Sequence, residues 1–101
     1  MTALGNPAPR IDVVFRRRSD DVIVGVWTDE DGSPRTLLGA VSIELGDRTW
    51  PGSVGGPDSN EVTWTLTAQD TDVAWTTRPV TIARVNGQTR EVLGRGTATA
   101  T

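Results

Sequence analysis

The chain contains no cysteine, no histidine, no tyrosine and no lysine, and all ten of its basic residues are arginine. Without cysteine there are no disulfides and no thiolate chemistry, so stability has to come from packing or from partners. Without cysteine or histidine, the usual donor sets of zinc, copper and haem sites are missing. No Ser-His-Asp arrangement can be assembled, and the common general base of neutral pH is lacking. Without lysine there is neither a phosphate-loop lysine nor a Schiff base. Most catalytic routes therefore close before a motif is read, and the chain is expected to be non-enzymatic, with no cofactor. The net charge of −3 also argues against a general nucleic-acid binder, which presents a strongly basic face. No apolar run approaches the ~18 residues of a membrane helix, and Met1 to Gly5 carries no signal-peptide pattern, so no membrane insertion is expected.

What is present is short and alternating. At 101 residues the chain suits one domain, burying about two thirds of the surface it exposes when unfolded. Residues 1–10, MTALGNPAPR, hold Pro7 and Pro9, which continue neither a helix nor a central strand, so this segment reads as an extended arm preceding a domain over 11–101. So apolar-poor an arm cannot offset its own ordering entropy, and is expected to be ordered by a partner. From Ile11 the hydrophobic period is two. Ile11, Val13 and Phe15 share a face; Val22, Val24 and Val26 oppose Ile23 and Trp27. Val41, Ile43 and Leu45 alternate with Ala40, Ser42 and Glu44; Val62, Trp64 and Leu66 alternate with threonines; Val80 and Ile82 oppose Thr81 and Ala83. Such β-branched, half-buried segments are strands.

Turn chemistry separates them. Asp31-Gly32-Ser33-Pro34 closes the second strand, Pro51 to Asp58 reads as a long connection, and Asn86-Gly87 is expected to form a two-residue type I′ hairpin. Thr67-Ala68-Gln69-Asp70 spells a capping box able to start a single helical turn. The pattern predicts an all-β protein: a small antiparallel β-sandwich of immunoglobulin-like type, with at most one short helical turn.

The candidate functional residues are few. Trp64 belongs with the core, and Trp75 is placed to plug the end of the sandwich. Trp27 is expected to be half exposed. Trp50, beside Pro51-Gly52, is expected to be exposed in a loop and to serve as a contact residue. Arg16-Arg17-Arg18 is the one basic run, followed by Asp20-Asp21; it reads as a solvated turn or as a salt-bridging patch for a partner subunit. Asp29-Glu30-Asp31-Gly32 begins like a calcium loop, but its twelfth position is Ala40 and Pro34 interrupts the spacing, which favours a plain hairpin turn. Asp70 and Asp72 are only nominally a glycosidase pair.

The order of these features resembles a known family. Ala3-Leu4-Gly5-Asn6, the stretch RRRSDDVIVGVWTDEDGSPRTLLGA, the strand and acidic turn VTWTLTAQDTD, and the closing EVLGRGTATAT are similar to the LtfC-like immunoglobulin-like β-sandwich proteins of actinobacteriophage virions. A more distant resemblance is to the N-terminal domain of siphophage baseplate upper proteins. At Arg17 and Arg18 the chain departs from the family, whose members often have a glycine-containing turn there. The resemblance implies a virion structural component, made in the host bacterial cytoplasm and placed in the tail or adsorption apparatus. It implies no catalytic residues, and partners that are other virion proteins in symmetric copies. An all-arginine composition is consistent with a GC-rich host. Leu4, Asn6, Arg16, Arg17, Arg18 and Trp50 are the expected partner contacts. Two alternatives stand: a capsid decoration or head–tail junction protein, and a carbohydrate-binding module using Trp50 with Asp47 and Asp58.

Overall fold

In the computed structural model, which describes residues 9–46 and 48–101, eight strands form two sheets. The strands are β1 (Arg10–Phe15), β2 (Asp21–Val26), β3 (Ala40–Glu44), β4 (Thr49–Pro51), β5 (Ser53–Gly55), β6 (Glu61–Leu66), β7 (Thr77–Asn86) and β8 (Thr89–Ala100). One sheet has the order β1-β8-β7-β3-β4 and the other the order β2-β6-β5. The protein is an all-β sandwich, and no helix occurs among the described residues. The capping box does form: Asp70 Oδ2 accepts from the Thr67 N–H at 2.8 Å, and the Asp70 N–H reaches Thr67 Oγ1 at 3.3 Å. The turn ends after one Thr71 N–H to Thr67 carbonyl bond.

Alternation builds the core as the period-two pattern requires. Val13, Phe15, Val41, Ile43, Val80 and Ile82 come from the larger sheet; Val62, Trp64 and Leu66 come from the smaller one; Leu37, Leu45 and Val73 fill in from connections. Each such side chain contributes about 1.5–3 kcal/mol when fully buried. Thr63 and Thr65 turn away from this core while Val62, Trp64 and Leu66 enter it, so the register expected of β6 holds.

Four features differ from the sequence expectation. First, pairing is not wholly antiparallel, because β1 runs parallel to β8 from Arg10↔Arg95 to Phe15↔Ala100. The approach of β1 requires glycine opposite it. A Cβ on Gly96 would lie 1.7 Å from the Ile11 carbonyl oxygen, and one on Gly94 would lie 2.0 Å from Ile11 Cδ1.

Second, the Pro51 to Asp58 segment is not a free loop. Pro51 ends β4 and pairs with Ser42, and Ser53–Gly55 forms β5 against β6. The chain thus changes sheets at Gly52, where the backbone passes so close to Val62 and Trp64 that a Cβ would meet both within 2.7 Å.

Third, the β7–β8 hairpin turns at Gly87-Gln88, since Asn86 still pairs with Thr89. Gly87 has φ +64° while Asn86 and Gln88 are not in the positive region. That is the φ pattern of a type II′ turn, whose first central residue is glycine, rather than the expected I′ turn.

Fourth, β8 carries a bulge: Ile82 pairs with Gly94 and Ala83 with Val92, which leaves Leu93 as the extra residue. Ala83 stays on the outward face opposite Ser42, buried but outside the core cluster.

Candidate docking edge

The residues expected to contact a partner do not converge. Leu4 and Asn6, with Asp47 of the carbohydrate-binding alternative, lie outside the described residues. Trp50 is 3% exposed, a correction to the expected loop tryptophan. It occupies the centre of β4 opposite Ile43 and meets Phe15 edge-on. The neighbouring Pro-Gly gave the appearance of a loop, but proline is tolerated on an edge strand, and the alternation of Thr49, Trp50 and Pro51 points the indole inward.

The arginine run is divided by its turn. Arg16 is exposed. Arg18, at φ +55°, adopts a conformation that favours glycine, and its Nε pairs with Asp72 at 3.1 Å across the surface. Arg17 turns inward, a correction to its reading as a solvated or partner-facing residue: its guanidinium donates to the Trp75 carbonyl at 2.9 Å and the Ala100 carbonyl at 3.5 Å. Trp75, half-buried, lies against Phe15 at 5.7 Å and under Arg78, so it plugs the sandwich end only in part.

Several of the acidic residues are likewise engaged in structure. Asp70 caps its turn and Asp72 holds Arg18. Asp31 accepts from both the hydroxyl and the backbone N–H of Ser33, and these bonds hold its carboxyl below the ordinary value. No cluster of three or more metal-ligating side chains occurs among the described residues. A separate polar group joins Glu91 to Arg84 at 3.0 Å and to Arg35, with the Arg35 hydrogen bond first among the causes that lower the Glu91 pKa. It ties the segment after β2 to the β7–β8 hairpin and is structural.

What the fold assembles instead is an apolar edge that is open among the described residues. β1 and β2 are edge strands of different sheets, and an open cleft of about 590 Å³ is lined by residues of both, among them Ile11, Val13, Ile23, Gly25 and Trp27. Trp27 is half-buried, as its position suggested; it folds back over Gly25 and meets Trp64 edge-on at 6.3 Å. Ile23, Gly25 and Trp27 form the inward face of β2. Its outward face is three valines: Val22, Val24 and Val26 are 58%, 55% and 61% exposed, and Val14 on β1 is 63% exposed.

The backbone of β2 has a definite polarity. The Trp27 N–H donates to the Asn60 carbonyl at 2.9 Å, and Asn60 Nδ2 donates to the Trp27 carbonyl at 2.9 Å. Trp27 therefore addresses the β6 side, and so, by alternation, do Gly25 and Ile23. The N–H and C=O groups of Val22, Val24 and Val26 point to the open side. There the Val22 N–H meets the Asp21 carboxylate at 2.9 Å.

The sequence showed both faces of Asp21–Val26 to be apolar but did not distinguish inward from outward. The signal was the absence of a polar face. A strand with both faces apolar suggests burial on both sides, and here no described residue covers one side.

Two sheets of this composition and order define an immunoglobulin-like β-sandwich. Among solved structures the chain is similar to a bacterial immunoglobulin-like domain from the M. primoryensis ice-binding adhesin, with a TM-score of 0.50 and 15% identity over 93% of this chain and 98% of that one. At that identity the likeness concerns the fold. No family model and no curated protein matches the chain.

Proposed function

We propose that this domain is a non-enzymatic assembly module, and that the particle it helps to build is a phage virion, with the tail or adsorption apparatus as its place. The observation that carries the assembly reading is the open edge of β2 with its three outward valines. Exposed apolar strands with unpaired backbone are costly to leave unprotected, and β2 carries no proline, bulge or inward-pointing charge from Val22 to Val26. The virion assignment is supported by the sequence resemblance to phage sandwich proteins, and the capsid or head–tail junction is its near alternative. The glycan-binding reading has lost its principal support, since Trp50 is in the core and no tryptophan is fully exposed.

The test is mass spectrometry of gradient-purified particles from the source organism, with cell-envelope fractions alongside. Peptides of this chain should co-migrate with tailed particles, and cryo-electron microscopy of those particles should place the sandwich in the tail. Recovery only in the cell envelope would instead favour a surface-protein module like the adhesin domain.

A further inference from the structure

We infer that β2 pairs with β2 of a second copy of this chain, antiparallel across a two-fold axis at Val24, so that two three-stranded sheets join into one of six strands. The inference stands whether or not the particle is a virion.

The backbone of β2 selects this register. Val22, Val24 and Val26 present their N–H and C=O groups to the open side, and these groups can form reciprocal bonds only between residues of that set. With Val24 on the axis, Val24 faces Val24 of the second copy, and Val22 faces its Val26. All three outward residues are then used. Shifting the axis to Ile23 or Gly25 leaves one valine of each copy opposite a residue beyond the strand. The Asp21 carboxylate must release the Val22 N–H for the outermost bond to form.

The side chains and charges agree with the same register. On the outer face, Val22, Val24 and Val26 meet their counterparts as an unbroken apolar band with no charge between them. On the inner face, Ile23 stands opposite Gly25, large against small. The segment before β2 carries Arg16, Arg17 and Arg18 against Asp20 and Asp21 and so is only weakly basic, with Arg17 turned inward and Arg18 paired with Asp72. The turn after it carries Asp29, Glu30 and Asp31. Antiparallel pairing brings the weakly basic segment of each copy toward the acidic turn of the other, whereas parallel pairing would set like beside like. A single six-residue strand pair buries less than the roughly 1,200–2,000 Å² of a stable interface, so free chains should associate weakly, with Kd on the order of 0.1 mM or above.

Because the chain has no cysteine, each single cysteine variant carries one thiol, and cross-linking reads the register directly. Residues paired by reciprocal bonds have Cα atoms about 5.5 Å apart, within the disulfide range. Under mild oxidation at about 0.1–1 mM, V24C should form a disulfide dimer about tenfold faster than V22C, V26C or V14C. A mixture of V22C and V26C should give the mixed dimer at a rate close to that of V24C. V24K, at an exposed site, should keep the melting temperature while abolishing the concentration-dependent rise in sedimentation coefficient of the unaltered chain. Equal rates at all four cysteine positions, or self-association unchanged in V24K, would overturn the pairing.

Discussion

Phe15 and Trp50 stand edge-on, ring centroids 5.2 Å apart and planes at 86°, although their strands β1 and β4 occupy opposite edges of the five-stranded sheet. Four strand spacings would separate those edges by about 19 Å in a flat sheet. Contact between the two rings therefore requires the sheet to curl around the core, and the aromatic pair closes that curl. Trp75, 5.7 Å from Phe15 on another side, completes the cluster.

Removing Trp50 should accordingly be severe. Trp50→Ala is expected to cost about 3–5 kcal/mol, a large part of the total stability of a domain this size. Equilibrium urea denaturation measures it. A loss below about 1 kcal/mol would contradict the burial described for this residue.

Arg17 and Arg16 should separate sharply despite being neighbours. Arg17→Ala removes donors from the Trp75 and Ala100 carbonyls and should destabilise by about 1–3 kcal/mol. Arg16→Ala should stay within about 0.5 kcal/mol of the unaltered chain. Similar denaturation midpoints for the two variants would refute the inward placement of Arg17.

Arg18 is held at φ +55°, where an L side chain costs about 1–2 kcal/mol and glycine costs little. Its exposed pair with Asp72 returns at most about 1 kcal/mol. Arg18→Gly should thus leave stability unchanged or raise it by up to about 1 kcal/mol. A marked fall in melting temperature would count against this.

Gly96→Ala tests the attachment of β1. The new methyl group would meet the Ile11 carbonyl, forcing β1 away from β8 at a cost of about 1–3 kcal/mol. Hydrogen exchange should show the loss concentrated in Arg10 to Phe15, and uniform destabilisation would not fit.

The Glu91 group predicts a pH dependence. Hydrogen bonds from Arg35 and Arg84 lower the folded-state pKa of Glu91 below its ordinary value of 4.5. The native state then binds fewer protons than the unfolded state around and below that pH. The stabilisation is complete above pH 4.5 and is lost as pH falls through the depressed folded value. Glu91→Gln should be less stable than the unaltered chain at neutral pH, with the gap closing under acid. A gap independent of pH would show that charge plays no part in this group.

Much of the fold was legible because alternation is a local property. Val13 with Phe15, Val41 with Ile43, and Val62 with Trp64 and Leu66 all enter the core as their spacing requires. The capping box at Thr67 and Asp70 was legible for the same reason, since its partners lie three residues apart. Trp50 was misplaced because Pro51 and Gly52 look alike in a loop and in a strand that changes sheets. The hairpin moved by one residue because both Asn86-Gly87 and Gly87-Gln88 offer a glycine at a turn position, and the partner register chooses between them.

The sequence by itself determined the all-β class, the inward set of most strands and the chemistry that is lacking, because each follows from residue type and period. Only the tertiary structure decided which strands are edges, that β1 joins β8 in parallel, and which face of β2 is open. The candidate docking site depends on those three facts. An apolar face on an interior strand is core, and the same face on an edge strand is an interaction surface. Which of the two it becomes is set by neighbours far away in the chain.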